Sequence, residues 1–519
     1  MRALTIAGTT TIGALILLSG CASMRIDAES RALTAYLDAE FEEQLAFSPE
    51  FQTSLGRKTN YDQLDDRSEA AADAQLEWRR ESVAEMEARF DVASLNDDAR
   101  LSYEIWRYAL ERAERAAQFR RHDFVFGRYG EHSSIPTFLI NNHRVDDAAD
   151  MEDYNARLRA LGPALDQSLE RAQLAAEDGI RMPRFDYERT IAEARGLLDG
   201  LPFTETEVNS PLFADAKEKI NALYDAGEID DAEADALLSE AEAALLDFAG
   251  PAYERVIRWA QADIDNAPSG VVGAIAYPDG EAWYETALAL NTTTDMTADE
   301  VHELGLSEVA RIQAQMEAIK DEVGFEGSLA EFFIFTRTDD QFYLPNTDEG
   351  RAEYLARAEN IIRTMEARLP DYFGLLPEAP LEVRRVEAFR EEDGGAAHYR
   401  AAAPDGSRPG TFYSHLSDMR AMPTYHLERV SYHEGLPGHH LQISIARELE
   451  DVPTFRTVYG YSAYSEGWGL YSEELAKEMG FYEDPYSEFG QLAGELWRAV
   501  RLVVDTGIHA KGWSEEEAV

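Results

Sequence analysis

Three of the 11 histidines fall within eight residues, at His433, His439 and His440, and Glu434 stands among them. Imidazole is the commonest zinc ligand in proteins, and a carboxylate beside such a site can accept a proton from water. The spacing differs from the His-Glu-x-x-His helix of many metallopeptidases, because the second histidine comes two or three residues later. The segment therefore predicts a divalent-metal site with an altered backbone.

Backbone geometry decides whether one ion can meet two of these histidines. In a straight helix, at about 100° and ~1.5 Å per residue, His439 would lie ~120° around the axis from His433, and His440 would lie ~10.5 Å further along. The ring of Pro437 would collide with the His433 carbonyl, and Gly438 tolerates unusual dihedrals. The Pro-Gly pair thus predicts a bulge that returns His439 to the ion. From the spacing alone, the choice between His439 and His440 stays open.

A third ligand is expected from the polar segment 461–474, which reads as a helix. Glu466 lies on a stripe of this helix that includes Glu473. It is followed by Gly467 and Gly469, whose small size suits the close approach of another helix. Two histidines and one glutamate would leave a fourth position open for water, as in catalytic zinc sites.

Two alternative functions fit parts of the sequence. The segment 460–464 nearly matches the Gly-x-Ser-x-Gly motif of serine hydrolases around Ser462. Its last glycine is missing and its flanks look helical, whereas a nucleophile elbow follows a buried strand. The other alternative is a non-catalytic helical envelope lipoprotein that acts as a scaffold or ligand binder. It rests on the first half of the chain, which is helical and carries no cluster of chemically active residues.

Apolar residues three and four apart predict a mainly α fold. The predicted helices cover residues 77–90, 101–121, 154–177, 187–200, 215–224, 231–248, 297–323 and 351–369. Thr297 and Glu300 have the form of a capping box. The segments 381–389, 396–402 and 411–416 predict a small antiparallel sheet beside the active-site helices. Strand 411–416 could then take up an extended peptide as an added strand.

The elements suggest three parts of the chain. Residues 1–20 read as a lipoprotein signal peptide, 22–270 as a helical scaffold lobe, and 271–519 as a catalytic lobe. This last part holds the sheet, at about 381–416, and the metal-site helices, at about 429–510. The sequence ends inside an acidic, helix-like stretch, so we expect the last element to be clipped or stunted.

The N-terminus has the features of a bacterial lipoprotein signal. A short cationic start precedes the apolar stretch 4–18, which is too short for a comfortable membrane span. Cys21 follows small residues, as in a lipobox, and is the sole cysteine of the chain. We therefore expect lipid on Cys21 and no internal disulfide. By resemblance to sorted bacterial lipoproteins, Ala22 after the cysteine, rather than Asp, favours the periplasmic face of the outer membrane.

The composition excludes several function classes. The chain has 519 residues with 48 basic and 99 acidic side chains, a net charge of −51. Nucleic-acid binding needs a basic footprint, which this composition does not provide. No phosphate loop or dinucleotide fingerprint is present, so no nucleotide cofactor is expected. Contact with the membrane is expected through the lipid anchor only.

The motifs together resemble the bacterial lipoprotein family called domain of unknown function eight-eight-five. The segments that carry the resemblance are 399–400, 407–413, 433–442, 466–473 and 495–509. The family resembles the gluzincin zinc metallopeptidases, which implies a two-lobed helical fold with an active-site cleft. The resemblance implies that His433, His439 and Glu466 bind one zinc ion and that Glu434 is the general base.

The function expected on this basis is hydrolysis of a peptide substrate. His509 is the candidate donor to the oxyanion, with Tyr413 and Arg501 behind it as substrate-binding residues. In some gluzincins, an acidic residue one turn after the glutamate ligand hydrogen-bonds to another metal ligand. The corresponding position in this chain, one turn after Glu466, is Leu470. We expect Glu473 to take that role.

Overall fold

The computed structural model describes residues 10–270, 273–386, 391, 395, 397–402 and 408–519, with side chains from residue 25 onward. The chain divides into two compact units, Met1–Tyr284 with Gly512–Ser514, and Glu285–Lys511 with Glu515–Val519. The sequence-based boundary after residue 270 precedes this division by fourteen residues. The side chains of the signal segment and of Cys21, and residues 1–9 altogether, lie outside the described residues. Within the described part, no helix is both long and apolar enough to cross a bilayer.

The first unit is built from helices, as predicted. They are α1 Thr10–Leu45, α2 Pro49–Ser54, α3 Glu69–Arg89, α4 Asp97–Ala117, α5 Glu131–Asn142, α6 Ala148–Glu177, α7 Arg184–Leu197, α8 Pro211–Ala226, α9 Asp231–Ala244 and α10 Gly250–Asp263, and α11 Gly280–Thr292 spans the division. Met151, Tyr154, Leu158, Leu161 and Leu165 form a fully buried stripe on α6, at the spacing of one helical face. This stripe is the centre of the unit's main core.

The second unit carries the remaining helices. They are α12 Ala298–Glu322, α13 Leu329–Thr338, α14 Asp348–Glu366, α15 Leu427–Glu434, α16 His439–Glu448, α17 Phe455–Val458, α18 Ser462–Glu478, α19 Pro485–His509 and α20 Glu515–Ala518. The predicted capping box is confirmed at the start of α12: the Glu300 amide donates to the Thr297 hydroxyl, and the Thr297 amide donates to the Glu300 carboxylate. α12 packs along α19, where Gly305 allows close contact with Leu502 and Val503.

The small sheet is mixed, so the prediction of a wholly antiparallel sheet is wrong. Its strands are β1 Leu381–Arg385, β2 His398–Arg400 and β3 Gly410–Ser414, in the order β1-β3-β2. β3 is parallel to β1 and antiparallel to β2. The prediction failed because it paired strands that are neighbours in sequence, whereas β3 inserts between the other two. Residues 387–389 and 396 of the predicted strands lie outside the described part.

The position of β3 also corrects its expected role. Both of its sides are already paired with strands, so an extended peptide cannot join it. Instead β3 belongs to the core of the second unit, where Phe412 is fully buried and packs with Leu427 and Tyr432 of α15 and with Leu441 of α16. The sheet thus supports the two short helices that carry the histidine motif.

Candidate metal centre

The histidine motif is divided between two helices. α15 ends at Glu434 and α16 begins at His439. Gly435 and Gly438 have ψ angles of −115° and −129°, outside the helical range. A Cβ atom on Gly438 would lie 2.0 Å from the His433 carbonyl oxygen, so only glycine allows the chain to fold back over the end of α15. The predicted bulge within one helix is therefore wrong: residues 435–438 break the helix completely.

Helix α18 fixes the path of this break. The indole N–H of Trp468 donates to the Pro437 carbonyl over 2.8 Å, and the Ser472 hydroxyl lies 3.3 Å from the same oxygen. The His440 amide donates to the Gly435 carbonyl over 3.1 Å. Because these partners satisfy backbone groups that have left the helix, the direction in which α16 departs is well defined.

The break brings His433 and His439 to the same place, and Glu466 of α18 completes the cluster. His433 Nε2 lies 3.5 Å from one Glu466 carboxylate oxygen, and His439 Nε2 lies 3.6 Å from the other. One ligand atom from each residue lies within 4.8 Å of the others. In a tetrahedral zinc site, neighbouring ligand atoms are about 3.3 Å apart. The donor set and its spacing therefore fit a small divalent cation.

His440 is committed to the protein interior. Its Nε2 atom lies 3.0 Å from the Ala379 carbonyl and its Nδ1 atom 3.0 Å from the Tyr399 hydroxyl. With Nε2–H donating and Nδ1 accepting, the ring is neutral, and burial lowers the pKa of His440 to about 4. A Cβ atom on Gly410 would lie 2.6 Å from that hydroxyl. The geometry thus leaves His439, rather than His440, as the second candidate ligand.

A buried carboxylate orients the first ligand. Glu473 is fully buried, and its Oε1 atom lies 2.8 Å from His433 Nδ1. Donation from Nδ1–H to Glu473 would leave Nε2 as the metal-binding atom once a cation displaces the Nε2 proton, which is the tautomer a metal ligand needs. Arg429 Nη1 lies 3.5 Å from the same carboxylate oxygen. Arg429 was missed by the sequence reasoning, although its position four residues before His433 places it on the same helical face.

Only one of the two glycines after Glu466 is required by packing. A Cβ atom on Gly469 would lie 2.6 Å from His433 Cε1 and 2.8 Å from its Nε2. A Cβ atom on Gly467 would meet no described atom within 4 Å. Of these two glycines, only Gly469 places the backbone of α18 against the His433 ring.

Burial and charge prepare the cluster for a cation. Burial opposes a charge on His433, but hydrogen bonds to Glu466 and Glu473 outweigh it and raise the pKa of His433 to about 9. The same histidine contacts hold the pKa of Glu466 well below its ordinary value. Burial raises the pKa of Glu434 to about 7. A carboxyl group that is near half-protonation at neutral pH is suited to accept and return a proton.

The other predicted site residues lie elsewhere. Arg498 of α19 has Nη2 3.9 Å from Glu466 Oε2, and His509 follows eleven residues later, about 16 Å along the helix axis. The structure therefore does not bring His509 to the cluster. The Arg501 guanidinium stacks over the Trp497 ring at 4.8 Å.

Neither Tyr413 nor Ser462 belongs to the group formed by His433, His439 and Glu466. Tyr413 is buried in β3 and stacks on His398, with ring centroids 5.1 Å apart. Ser462 opens α18, and helix α17 precedes it. Since a nucleophile elbow needs a strand before the serine, the described segment does not have the geometry of a serine hydrolase.

Arg498 is a second residue near the cluster, after Arg429, that the sequence reasoning did not select. It lies inside the quoted segment 495–509, one turn before Arg501. The sequence offers no signal that separates the two, because the choice depends on which face of α19 meets α15 and α18.

Comparisons with known proteins agree with this fold. The structure of a candidate lipoprotein from Colwellia psychrerythraea is 25% identical, with a TM-score of 0.81, and the match covers 94% of this chain and 85% of the other. A candidate lipoprotein of unknown function from Shewanella oneidensis is 18% identical and shares the fold, with a TM-score of 0.69 over 93% of this chain and 85% of the other. None of the curated proteins matches the chain. The profile of the family described as "Bacterial protein of unknown function (DUF885)" matches residues 49–519, which confirms the resemblance drawn from the motifs: the chain belongs to this family.

Proposed function

We propose that the protein is a zinc-dependent peptide hydrolase of the bacterial cell envelope. The observation that carries this proposal is the convergence of His433, His439 and Glu466 from three helices, with ligand atoms within 4.8 Å of one another. Glu434, next to the first ligand and only 8% exposed, supplies an acid–base group beside them. The likeness of this arrangement to gluzincin peptidases is an expectation from the sequence and forms part of the proposal.

The ligands are His433 and His439 through Nε2 and Glu466 through its carboxylate. A zinc ion held by them supplies Lewis acidity, which lowers the pKa of water and polarises a carbonyl group. Glu434 accepts a proton from the attacking water as the water oxygen bonds to the peptide carbonyl carbon. Glu434 then donates that proton to the amide nitrogen as the C–N bond breaks, which gives a carboxylic acid and an amine; the acid proton then passes to the amine, leaving a carboxylate and an ammonium group.

Substrate can reach the site because the Glu466 side chain is 60% exposed. Glu473 keeps His433 in the tautomer that leaves Nε2 available, and its position inside the protein excludes water from that hydrogen bond. The site would therefore act on a peptide that binds beside the exposed Glu466 carboxylate, next to Glu434.

The envelope location is part of the same proposal. The lipobox at Cys21 would place a lipid on its thiol and amine, and Ala22 favours the periplasmic face of the outer membrane. The two solved structures named as candidate lipoproteins support this reading. Metabolic labelling with a fatty acid should mark the wild-type protein and not Cys21→Ser. Equal labelling of both would contradict the assignment.

Metal analysis and one substitution test the enzymatic proposal. The purified protein should contain one zinc per chain, and a chelator should abolish hydrolysis of a mixed peptide library. Glu434→Gln should keep the zinc and lose hydrolysis. Glu428→Gln is the matched control, because Glu428 is another partly buried carboxyl of α15 that lines separate cavities. A folded protein without zinc would favour the scaffold alternative, and full activity of Glu434→Gln would contradict the role of the base.

A further inference from the structure

A cavity of about 390 Å³ opens beside the metal cluster, with His433 and Glu434 in its wall. A space of this size suits a small ligand or a short part of a peptide. Much of the remaining wall is apolar, and it includes Tyr354, Ala421, Met422, Pro423, Val430 and Ala493. The cavity thus offers room for an apolar side chain within reach of the proposed base.

Two arginines also line this cavity, and their surroundings differ. Arg429 lies 3.5 Å from Glu473, a fully buried carboxylate, so these two charges offset each other. Arg498 lies 3.9 Å from Glu466. Because the proposed function assigns Glu466 to the metal, the positive charge of Arg498 remains to face the cavity. An anionic group of the substrate would complement it.

The distance of Arg498 from the cluster determines which part of a bound peptide substrate it can reach. Its Nη2 atom is 3.9 Å from Glu466 Oε2, whose carboxylate oxygens are 3.5 and 3.6 Å from the two ligand imidazoles. One extended residue spans about 3.3–3.6 Å. A carboxylate one residue beyond a peptide bond at the cluster would therefore reach the guanidinium, whereas a carboxylate several residues further would not.

We propose that Arg498 binds the free C-terminal carboxylate of the substrate and that the cavity holds the apolar side chain of its C-terminal residue. This inference rests on the proposed function and narrows it to a carboxypeptidase that releases one residue. The planar guanidinium is suited to the role because two of its parallel N–H groups match the two carboxylate oxygens. The leaving group is then a free amino acid, whose nitrogen gains the proton held by Glu434.

The test compares two substrates on the zinc-loaded full chain. Both are N-acylated dipeptides that end in leucine, one with a free carboxylate and one with a C-terminal amide. Loss of a charge-assisted hydrogen bond should make kcat/KM for the amide at least about 30-fold lower. A dipeptide that ends in lysine should be a poorer substrate than the leucine acid, because the wall of the cavity is apolar and cationic.

Substitution of Arg498 tests the assignment to this residue. In Arg498→Met the acid-to-amide ratio should fall to about one, mainly through a higher KM for the acid. Arg498→Lys keeps the charge but not the fork of donors, so it should restore part of the ratio. Arg363→Met is the control, since it removes an exposed guanidinium of α14 that does not line this cavity, and it should keep the wild-type ratio.

Two results would overturn the proposal. One is equal hydrolysis of the acid and the amide by the wild-type protein. The other is an equal loss for both substrates in Arg498→Met, because Arg498 would then act on Glu466 or on the reacting carbonyl.

A binding measurement separates this proposal from the proposed function. Zinc-loaded Glu434→Gln should bind the acid dipeptide more tightly than the amide in calorimetry, and adding Arg498→Met should remove the difference. If that preference is found while the wild-type protein hydrolyses no peptide, the carboxylate site stands and the peptidase function fails. If neither preference nor hydrolysis is found, both fail.

Discussion

The two glycines that follow Glu466 should respond differently to replacement by alanine. In Gly469→Ala the new Cβ atom would lie 2.6 Å from His433 Cε1, with two further ring atoms within 3.0 Å. Carbon atoms in contact are normally about 3.5–4.0 Å apart, so the overlap is about 1 Å. The ring cannot retreat without cost, because it is buried and bonded to Glu473 over 2.8 Å. Either His433 turns away from the cluster or α18 moves, and both changes separate His433 from Glu466.

The expected size of the effect follows from these contacts. Zinc affinity of Gly469→Ala should fall by at least about 10–100-fold, as when the outer partner of a ligand is lost. Overpacking should cost about 1–3 kcal/mol of unfolding free energy, partly offset by about 0.8–1.0 kcal/mol from the better helix propensity of alanine. Gly467→Ala keeps the propensity gain without the overlap, so it should be slightly stabilised and bind zinc normally.

The assay is a competition titration of zinc against a chromophoric chelator, paired with urea unfolding of the metal-free proteins. Unfolding curves show whether each variant is folded when its affinity is measured. Equal zinc affinity in Gly469→Ala and Gly467→Ala would refute the claim that the α18 backbone positions the His433 ring.

Three further predictions concern the surroundings of the cluster. Glu473→Gln should weaken zinc binding by about 10–100-fold in the same titration, because the amide orients His433 less strongly; unchanged affinity would contradict the role of this carboxylate. His440→Gln should lose about 1–3 kcal/mol of stability in urea yet keep one zinc per chain, whereas His439→Gln should lose the zinc on elemental analysis; the reverse result would exchange their assignments. Burial lowers the pKa of His426 to about 3, against an ordinary value of about 6.5, so the neutral ring stabilises the fold fully above pH ~6.5. That contribution to the free energy of unfolding should be lost as the pH falls toward 3, by up to about 1.4 kcal/mol per pH unit. In urea unfolding of the metal-free proteins, His426→Leu should therefore lose less stability than the wild type between pH 6.5 and 4.5. Equal slopes for both proteins would contradict this.

Sequence patterns were sufficient to predict a mainly helical fold and to select three side chains that the structure brings together. Apolar periodicity predicts helices because burial on one face is a local property of the chain. The residues that the structure brings together, His433, His439 and Glu466, were selected from their chemistry and the family motifs. Glu473 was selected as their partner because helical spacing relates it to Glu466.

Features that depend on distant parts of the chain were harder to predict. The predicted arrangement of the sheet was wrong because the insertion of β3 between β1 and β2 leaves no local pattern in the sequence. The prediction of a bulge was wrong because the direction of α16 after α15 is fixed by Trp468 and Ser472. These residues contact the Pro437 carbonyl and lie more than thirty residues after it in the sequence. Arg498 and Arg501 have the same chemistry and lie one turn apart, so only the packing of α19 shows that Arg498 is the one near Glu466.

The break between α15 and α16 brings two histidines together, as a single helical turn does in the His-Glu-x-x-His motif. A single turn aligns two histidines by its own hydrogen bonds, but a break leaves backbone groups unpaired and the relative direction of the two helices undefined. Helix α18 supplies both missing constraints, because Trp468 and Ser472 bind the Pro437 carbonyl. The same helix carries Glu466 and Glu473. The candidate third ligand, the carboxylate that bonds to His433 and the residues that contact the Pro437 carbonyl therefore belong to one helix, so the two histidines are held beside Glu466 and Glu473.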